Sequence, residues 1–314
     1  MVQCSLIIRA FNEAQHIERL LVGITQQTIK DIDIILVDSG STDDTIAIAS
    51  KYPLKIVKIK PEEFTFGRSL NRGIAEAHGE FIVIASAHVY PIYPDWLEKL
   101  LAPFSDSKIA LTYGKQRGNA TSKFSEKQIL SQWFPETSKI NQNNPFCNNA
   151  NAAIRRSLWL NHPYDENITA LEDVAWASWA IKQGYSIAYV AEAVVIHVHQ
   201  ETPKQVYNRY RREAMAFKYL FPEAKFTLGD FIFFFWTNTF SDLWSAAKQH
   251  QLLKHWHSIL WFRFMQFWGT YQGYRHAGPL TDELRQAFYY PKNFAVQPDS
   301  PRRDIEPIRY IEKT

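Results

Sequence analysis

Five short runs rich in β-branched and aliphatic residues, at 5–8, 32–37, 54–59, 81–85 and 109–113, alternate with helical patterns through the first 115 residues. This alternation constrains the fold more than any other feature. Strands separated by helical crossovers pair in parallel, because each crossover carries the chain back to the same end of the sheet. Between the first two runs Ile17, Leu20, Leu21 and Ile24 recur at helical spacing and make one apolar face. The expected class is α/β: a Rossmann-like mixed, mainly parallel sheet flanked by helices. In open sheets of this kind ligands sit beyond the carboxyl ends of the strands. The residues found there are Arg9-Ala10-Phe11-Asn12-Glu13, the stretch 38–44, and Ser86-Ala87-His88.

A second segment, 146–199, combines a helix at 171–183 with two short strands at 186–190 and 194–198. Beyond residue 202 the pattern is helical and unusually aromatic, and the proline-punctuated tail after Pro291 reads as loosely attached. A chain of 314 residues suits one catalytic domain with an elaborated C-terminal part. The expected division is a sheet domain 1–201, in halves 1–115 and 116–201, then a helical region 202–290 and the tail 291–314.

The formal net charge is only +3 and no block of like charge occurs, which argues against a nucleic-acid partner and for small anions. The two cysteines, Cys4 and Cys147, lack metal-ligand spacing and read as reduced core thiols. The apolar run Leu6-Ile7-Ile8 is interrupted by Arg9 and Asn12 before it could form an export signal or a span, so a cytoplasmic location is expected.

The string Val37-Asp38-Ser39-Gly40-Ser41-Thr42-Asp43-Asp44-Thr45 follows a buried strand and opens a helix. Alone, it is either a nucleotide contact or a capped turn with solvated carboxylates. With its neighbours it becomes specific. Ile8-Arg9-Ala10-Phe11-Asn12-Glu13, then Val37-Asp38-Ser39-Gly40-Ser41, then Gly67-Arg68-Ser69-Leu70-Asn71-Arg72-Gly73, then Gly79-Glu80-Phe81 resemble, in order and spacing, the successive signatures of glycosyltransferase family 2.

The resemblance implies a GT-A fold with a helical C-terminal extension, and inverting transfer from a nucleotide-sugar donor, which makes 1–201 the catalytic domain, 1–115 its nucleotide-binding half and 116–201 its acceptor and sugar half. It places Phe11 beside the base, Asp38 as the uridine-binding acid and Arg68 as a basic residue reaching the nucleotide. Arg9, Ala10, Asn12, Glu13, Ser86 and Ala87 complete the nucleotide end, although Arg9 stands where the family often has a small polar residue. Stacking of a base on an aromatic ring is worth about 1–3 kcal/mol.

One departure is informative. Family members commonly end the fourth strand with an Asp-any-Asp element that binds Mg²⁺ or Mn²⁺, and this chain reads Ser86-Ala87-His88 there. His88 aligns with the last acid. Imidazole suits Mn²⁺ or another transition ion better than Mg²⁺, and Val195-Ile196-His197-Val198-His199 offers two more imidazoles on one face of a strand. Two readings stay open: a metal site built from His88 with His197 or His199, or His88 bonding the diphosphate directly.

The string Leu171-Glu172-Asp173-Val174-Ala175-Trp176 resembles the family's Glu-Asp element, which makes Asp173 the general base and Glu172 its assistant or positioning partner. Asn148-Asn149-Ala150-Asn151 matches the stretch lining the donor sugar, with Asn149 and Asn151 as the contacts. Trp133 and Phe134 fall in a long segment that reads as a mobile lid.

The acceptor expected from the resemblance is a saccharide or lipid-linked saccharide. The aromatic, basic C-terminal helices hold no run long enough for a membrane span; surface association with a membrane, on the inner face of the plasma membrane, and homodimerisation both stay open. A non-catalytic nucleotide-sugar-binding subunit is the competing reading. A sugar nucleotidyltransferase is disfavoured, because Arg9-Ala10-Phe11-Asn12-Glu13 lacks the Gly-rich loop expected after its first strand.

Overall fold

The computed structural model describes residues 3–168, 170–275 and 305–310. In chain order the elements are β1 (Cys4–Ala10), α1 (Ile17–Thr25), β2 (Ile32–Asp38), α2 (Thr45–Ala49), β3 (Lys55–Lys58), α3 (Phe66–Ala75), β4 (Phe81–Ser86), β5 (Val89–Pro91), α4 (Trp96–Leu101), β6 (Ile109–Arg117), α5 (Phe124–Trp133), β7 (Lys139–Gln142), β8 (Asn151–Arg155), α6 (Arg156–Asn161), α7 (Glu172–Lys182), β9 (Ser186–His197), α8 (Pro203–Leu220), α9 (Leu228–Lys248) and α10 (Leu252–Tyr274).

Among the described residues one sheet holds every strand, in the order β3-β2-β1-β4-β8-β6-β9-β5, with β7 also on β9. The first four run parallel, as the βα alternation requires. β8 enters antiparallel between β4 and β6, and β6 then pairs in parallel with β9. Along β1 the side chains alternate between two apolar layers: Ile7 packs with Leu70 and Ile74 of α3, and Leu6 and Ile8 pack with Ile17, Leu20 and Leu21 of α1 and Trp96 of α4. A strand covered on both faces reads as continuously apolar, which is why these strands are visible in sequence.

Helix ends are set locally. Thr65 caps α3 by accepting from Arg68 N, and Thr202 and Thr227 form capping boxes with Gln205 and Asp230 at the heads of α8 and α9. Gly40 turns the chain after β2 with φ of 89°, a conformation that disfavours any side chain.

Two expectations are corrected here. The strands expected at 186–190 and 194–198 are one strand, β9: Glu192 is exposed but its neighbours are buried, and the ladder with β6 absorbs the break as a register shift between Gly114 and Gln116. The expected lid around Trp133 is instead the end of α5, and Phe134 is fully buried in the core. Of the expected loose tail, 291–304 and 311–314 lie outside the described residues. In 305–310, Ile308 N donates to Ile92 O at 2.9 Å and the Tyr310 hydroxyl donates to Pro91 O.

Candidate active site

A cleft of about 330 Å³ opens where the ends of β1 and β4, the head of α7, the end of β9 and the first turns of α8 meet. Its acidic wall comes from α7. Leu171, just before the helix, takes the left-handed conformation with φ of 61°, uncommon for a leucine, and this turn presents Glu172 and Asp173 at the helix head. Asp173 Oδ2 accepts from Asn149 N at 3.0 Å and Oδ1 from Val174 N at 2.8 Å. Glu172 Oε1 accepts from Arg9 at 3.0 Å and from Asn149 Nδ2 at 3.2 Å. Burial, and then the charge of Glu172, push the Asp173 carboxyl up to about 7, against the pull of its two backbone donors and of Arg9.

The opposite wall is a histidine cluster. Antiparallel pairing of β5 with β9 sets Val89 opposite His197, and Val198 N donates to His88 O at 3.2 Å, so His88 is drawn against both strand-end histidines. Ring centroids lie 5.0 Å apart for His88 and His197, 5.3 Å for His88 and His199, and 4.1 Å for His197 and His199. Each Nδ1 faces a side-chain oxygen: Glu13 Oε1 at 2.7 Å from His88, Gln116 Oε1 at 2.6 Å from His197, and Glu126 Oε1 at 2.6 Å from His199. An acceptor at Nδ1 holds the proton there and leaves Nε2 as the lone-pair nitrogen.

One ring nitrogen of each histidine lies within 4.8 Å of the others. Burial, reinforced by the other two histidines, pulls His197 well below its ordinary range, and burial also lowers His199, so both rings are neutral near pH 7. Imidazoles backed at Nδ1 by two carboxylates and an amide oxygen are a donor set that fits a borderline divalent ion. Three buried polar atoms around the cleft lack a hydrogen-bond partner: His197 Nε2, Gln116 Nε2 and Asn149 Oδ1. Orphans of this kind, gathered in one place, are what an absent polar ligand leaves behind.

The helical extension supplies a third wall. Arg209 of α8 meets Glu201 at 2.6 Å and Glu126 at 3.4 Å, and Arg212 lies 5.1 Å from the Phe66 ring that also carries Arg9 at 4.9 Å. Burial works to raise the Glu126 carboxyl, but the His199 hydrogen bond and the Arg209 charge outweigh it and hold it below its ordinary range. Glu126, His199 and Glu201 form a second cluster of metal-ligand type, but Arg209 already bridges its two carboxylates.

Of the residues expected from sequence, Arg9, Ser86, His88, Asn149, Glu172, Asp173, His197 and His199 line this cleft. The residues expected to contact the nucleotide lie beside it, at the ends of β1 and β2. Ala10 pairs with Asp38, whose carboxylate accepts from Gly40 N and Ser41 N, while Phe11 is 55% exposed. Asn12 Oδ1 accepts from Thr42 N and so ties the two strand ends together. Ala87 is buried, and Glu13 reaches the cleft only through His88.

Arg68 is turned away from the cleft: it pairs with Glu166 at 2.7 Å and donates to Glu63 O. Asn151 lies outside the cleft lining: it is fully buried, accepts from Trp96 Nε1, and donates to Lys115 O and Ala193 O, so its amide joins β8 to the core. Sequence reasoning missed Gln116, Glu126, Arg209 and Arg212. The string Asn208-Arg209-Tyr210-Arg211-Arg212-Glu213 reads as the start of a basic helix, but nothing in it says that this helix returns to the cleft.

The family profile for glycosyl transferase family 2 matches residues 5–160. The O-antigen chain rhamnosyltransferase RfbN of Salmonella typhimurium is 30% identical over 222 residues, 67% of this chain and 70% of its own length. The chain belongs to glycosyltransferase family 2. A second family 2 relative, the O-antigen chain rhamnosyltransferase WbaN of Salmonella anatum, is 32% identical over 196 residues; the match spans 59% of this chain and 62%, under two thirds, of that protein. Among solved structures, a mannosyltransferase from Pyrobaculum calidifontis in complex with GDP-Man and Mn²⁺ superposes with a TM-score of 0.59 at 19% identity, covering 93% of this chain and 88% of its own. Glucosyl-3-phosphoglycerate synthase from Mycobacterium tuberculosis, in complex with Mn²⁺, uridine diphosphate and glucosyl-3-phosphoglycerate, gives 0.52 at 20% identity, covering 69% and 79%. At such identities the agreement speaks for the GT-A fold.

Proposed function

We propose that this family 2 chain is an inverting glycosyltransferase that moves a sugar from a nucleotide-sugar donor to a hydroxyl of a saccharide or lipid-linked saccharide, with Asp173 as the general base, in the assembly of a cell-surface polysaccharide. The observation that carries the reading is Asp173 itself: a buried carboxylate pushed up to about 7, in the same cleft as three converged imidazoles. A base poised near neutral pH is matched to taking a proton from an alcohol as that alcohol attacks. The acceptor oxygen bonds the anomeric carbon as the bond to the donor phosphate breaks, and its proton passes to Asp173. One base and one displacement invert the anomeric centre.

Glu172, held by Arg9 and Asn149, keeps a second negative charge beside the base and so keeps its proton affinity high. His88, His197 and His199 would hold a divalent cation, with Mn²⁺ favoured over Mg²⁺ by three nitrogen donors. Bound there, the ion supplies positive charge to offset the leaving phosphate. Arg212 adds a guanidinium from the third wall of the cleft. Phe11, just after β1, and Asp38, at the end of β2, would supply the base and ribose contacts.

Because two relatives are named as O-antigen rhamnosyltransferases, nucleotide-linked rhamnose is the first donor to test, followed by UDP-, GDP-, dTDP- and CMP-sugars, each with and without Mn²⁺. Nucleotide release that needs both Asp173 and an acceptor, with an inverted product by NMR, supports the proposal. Binding of a nucleotide sugar with no turnover across all donors and a range of acceptors overturns it in favour of a binding subunit.

A further inference from the structure

α9 is apolar on its outward side as well as its inward one. Inward, Phe231, Phe234 and Phe235 pack on the core beside the buried Asn238, Thr239 and Asp242, the last locked to Arg263 of α10 by contacts of 2.8 and 3.0 Å. Its outward positions carry Leu228, Ile232, Trp236, Phe240 and Trp244, each between 47% and 65% exposed, with Phe233 beside them at 60%. A step of four residues makes these a continuous row slanting along one side of the helix. Single exposed apolar residues are ordinary, but a row running the length of a 21-residue helix, about 32 Å, marks a docking face.

The charges around the row indicate what covers it. No exposed position of α9 is acidic: Asp230 is spent on the helix cap and Asp242 on the buried ion pair. The cations sit at the far end. The Lys248 ammonium lies 5.3 Å above the Trp244 ring, and the next turn exposes His250, Lys254 and His257 beside Leu253 and Trp256. α10 contains no acidic residue at all.

Indole and phenyl rings tipped by ammonium groups, with no exposed carboxylate, match the headgroup boundary of an anionic bilayer: the rings enter the acyl edge while the lysines meet lipid phosphate. A second copy of this face would offer Lys248 and Lys254 no carboxylate. No described helix is long and apolar enough to cross a membrane, so the contact is one of lying on the surface. We propose that α9 and the start of α10 form a docking surface for an anionic lipid bilayer. The same helical layer packs through α8 against the cleft, so an enzyme docked this way works next to the bilayer.

The test is flotation of the full chain with vesicles of phosphatidylglycerol and phosphatidylethanolamine in equal parts, and with vesicles of phosphatidylcholine alone. The expected result is flotation with the anionic vesicles and much less with the neutral ones. The Trp236→Ser, Phe240→Ser double variant should lose roughly tenfold or more of the partitioning, since two half-exposed rings leave the lipid. The Lys248→Glu, Lys254→Glu variant should lose the preference for anionic lipid. All four side chains are exposed and lie outside the cleft, so circular dichroism and cleft-dependent turnover of a water-soluble donor should not change. Failure of the wild-type chain to float, equal flotation of the double ring variant, or a dimeric mass in lipid-free light scattering that falls to a monomer in that variant would each overturn the proposal, the last by showing that a second copy covers the face.

Discussion

Arg9 and Glu172 stand 163 positions apart and meet as an ion pair of 3.0 Å beneath the cleft, joining the end of the first strand to the head of α7. Through that pair the first strand of the sheet acts on the electrostatics of the proposed base next door. Arg9 pulls the Asp173 carboxyl down, while burial and Glu172 push it up by more.

The pH dependence follows. Asp173 works as a base only when deprotonated, so kcat/KM should rise with pH through about 7 and level off above it. Glu172→Gln removes the second largest cause of the raised value, and the midpoint of this limb should move to lower pH. A profile with no limb near neutrality, or a midpoint unmoved by the substitution, would count against Asp173 as the base.

Asp173→Asn should lower kcat by about 10²–10⁴-fold, the usual share of general base catalysis. Donor nucleotide affinity, measured by calorimetry, should stay close to that of the parent chain, because Phe11 and Asp38 lie apart from the base. An equal loss in nucleotide affinity would point to a collapsed site instead.

For the histidine cluster, the prediction concerns the residues behind the ligands. Glu126→Gln leaves all three imidazoles in place but weakens the acceptor that orients His199, and Mn²⁺ affinity should fall by about 10–100-fold. His88→Ala should abolish stoichiometric Mn²⁺ binding by calorimetry. Retained binding in both variants would mean that the ion sits elsewhere.

Asn151→Ala distinguishes a structural amide from a sugar contact. Three buried partners, Trp96 Nε1, Lys115 O and Ala193 O, lose their bond, and stability to urea should drop by about 1–3 kcal/mol or more. KM for the donor should remain near the parent value in the folded fraction.

Asp242→Ala probes the interior of the helical layer. It strands Arg263, which is 1% exposed, without its carboxylate, and should cost about 3–5 kcal/mol. Thermal melts read this directly, with the larger loss expected in the helical layer.

The amino-acid sequence by itself determined the parallel half of the sheet, the family, and the residue types at the chemical positions. Those strands are buried on both faces, and so announce themselves as apolar runs with their ligand-binding turns directly behind them. β5, β7 and β8 escaped notice because they are short, polar or small in composition, and owe their strand geometry to neighbours contributed from elsewhere in the chain. Only the tertiary structure decided that Asn151 serves the core, that Glu13, Gln116 and Glu126 each hold one histidine, and that α8 returns to wall the cleft. These are pairings across 75, 81 and 73 positions. Local sequence carries no record of which distant side chain will complete a hydrogen bond, because that choice is made by the packing of whole elements.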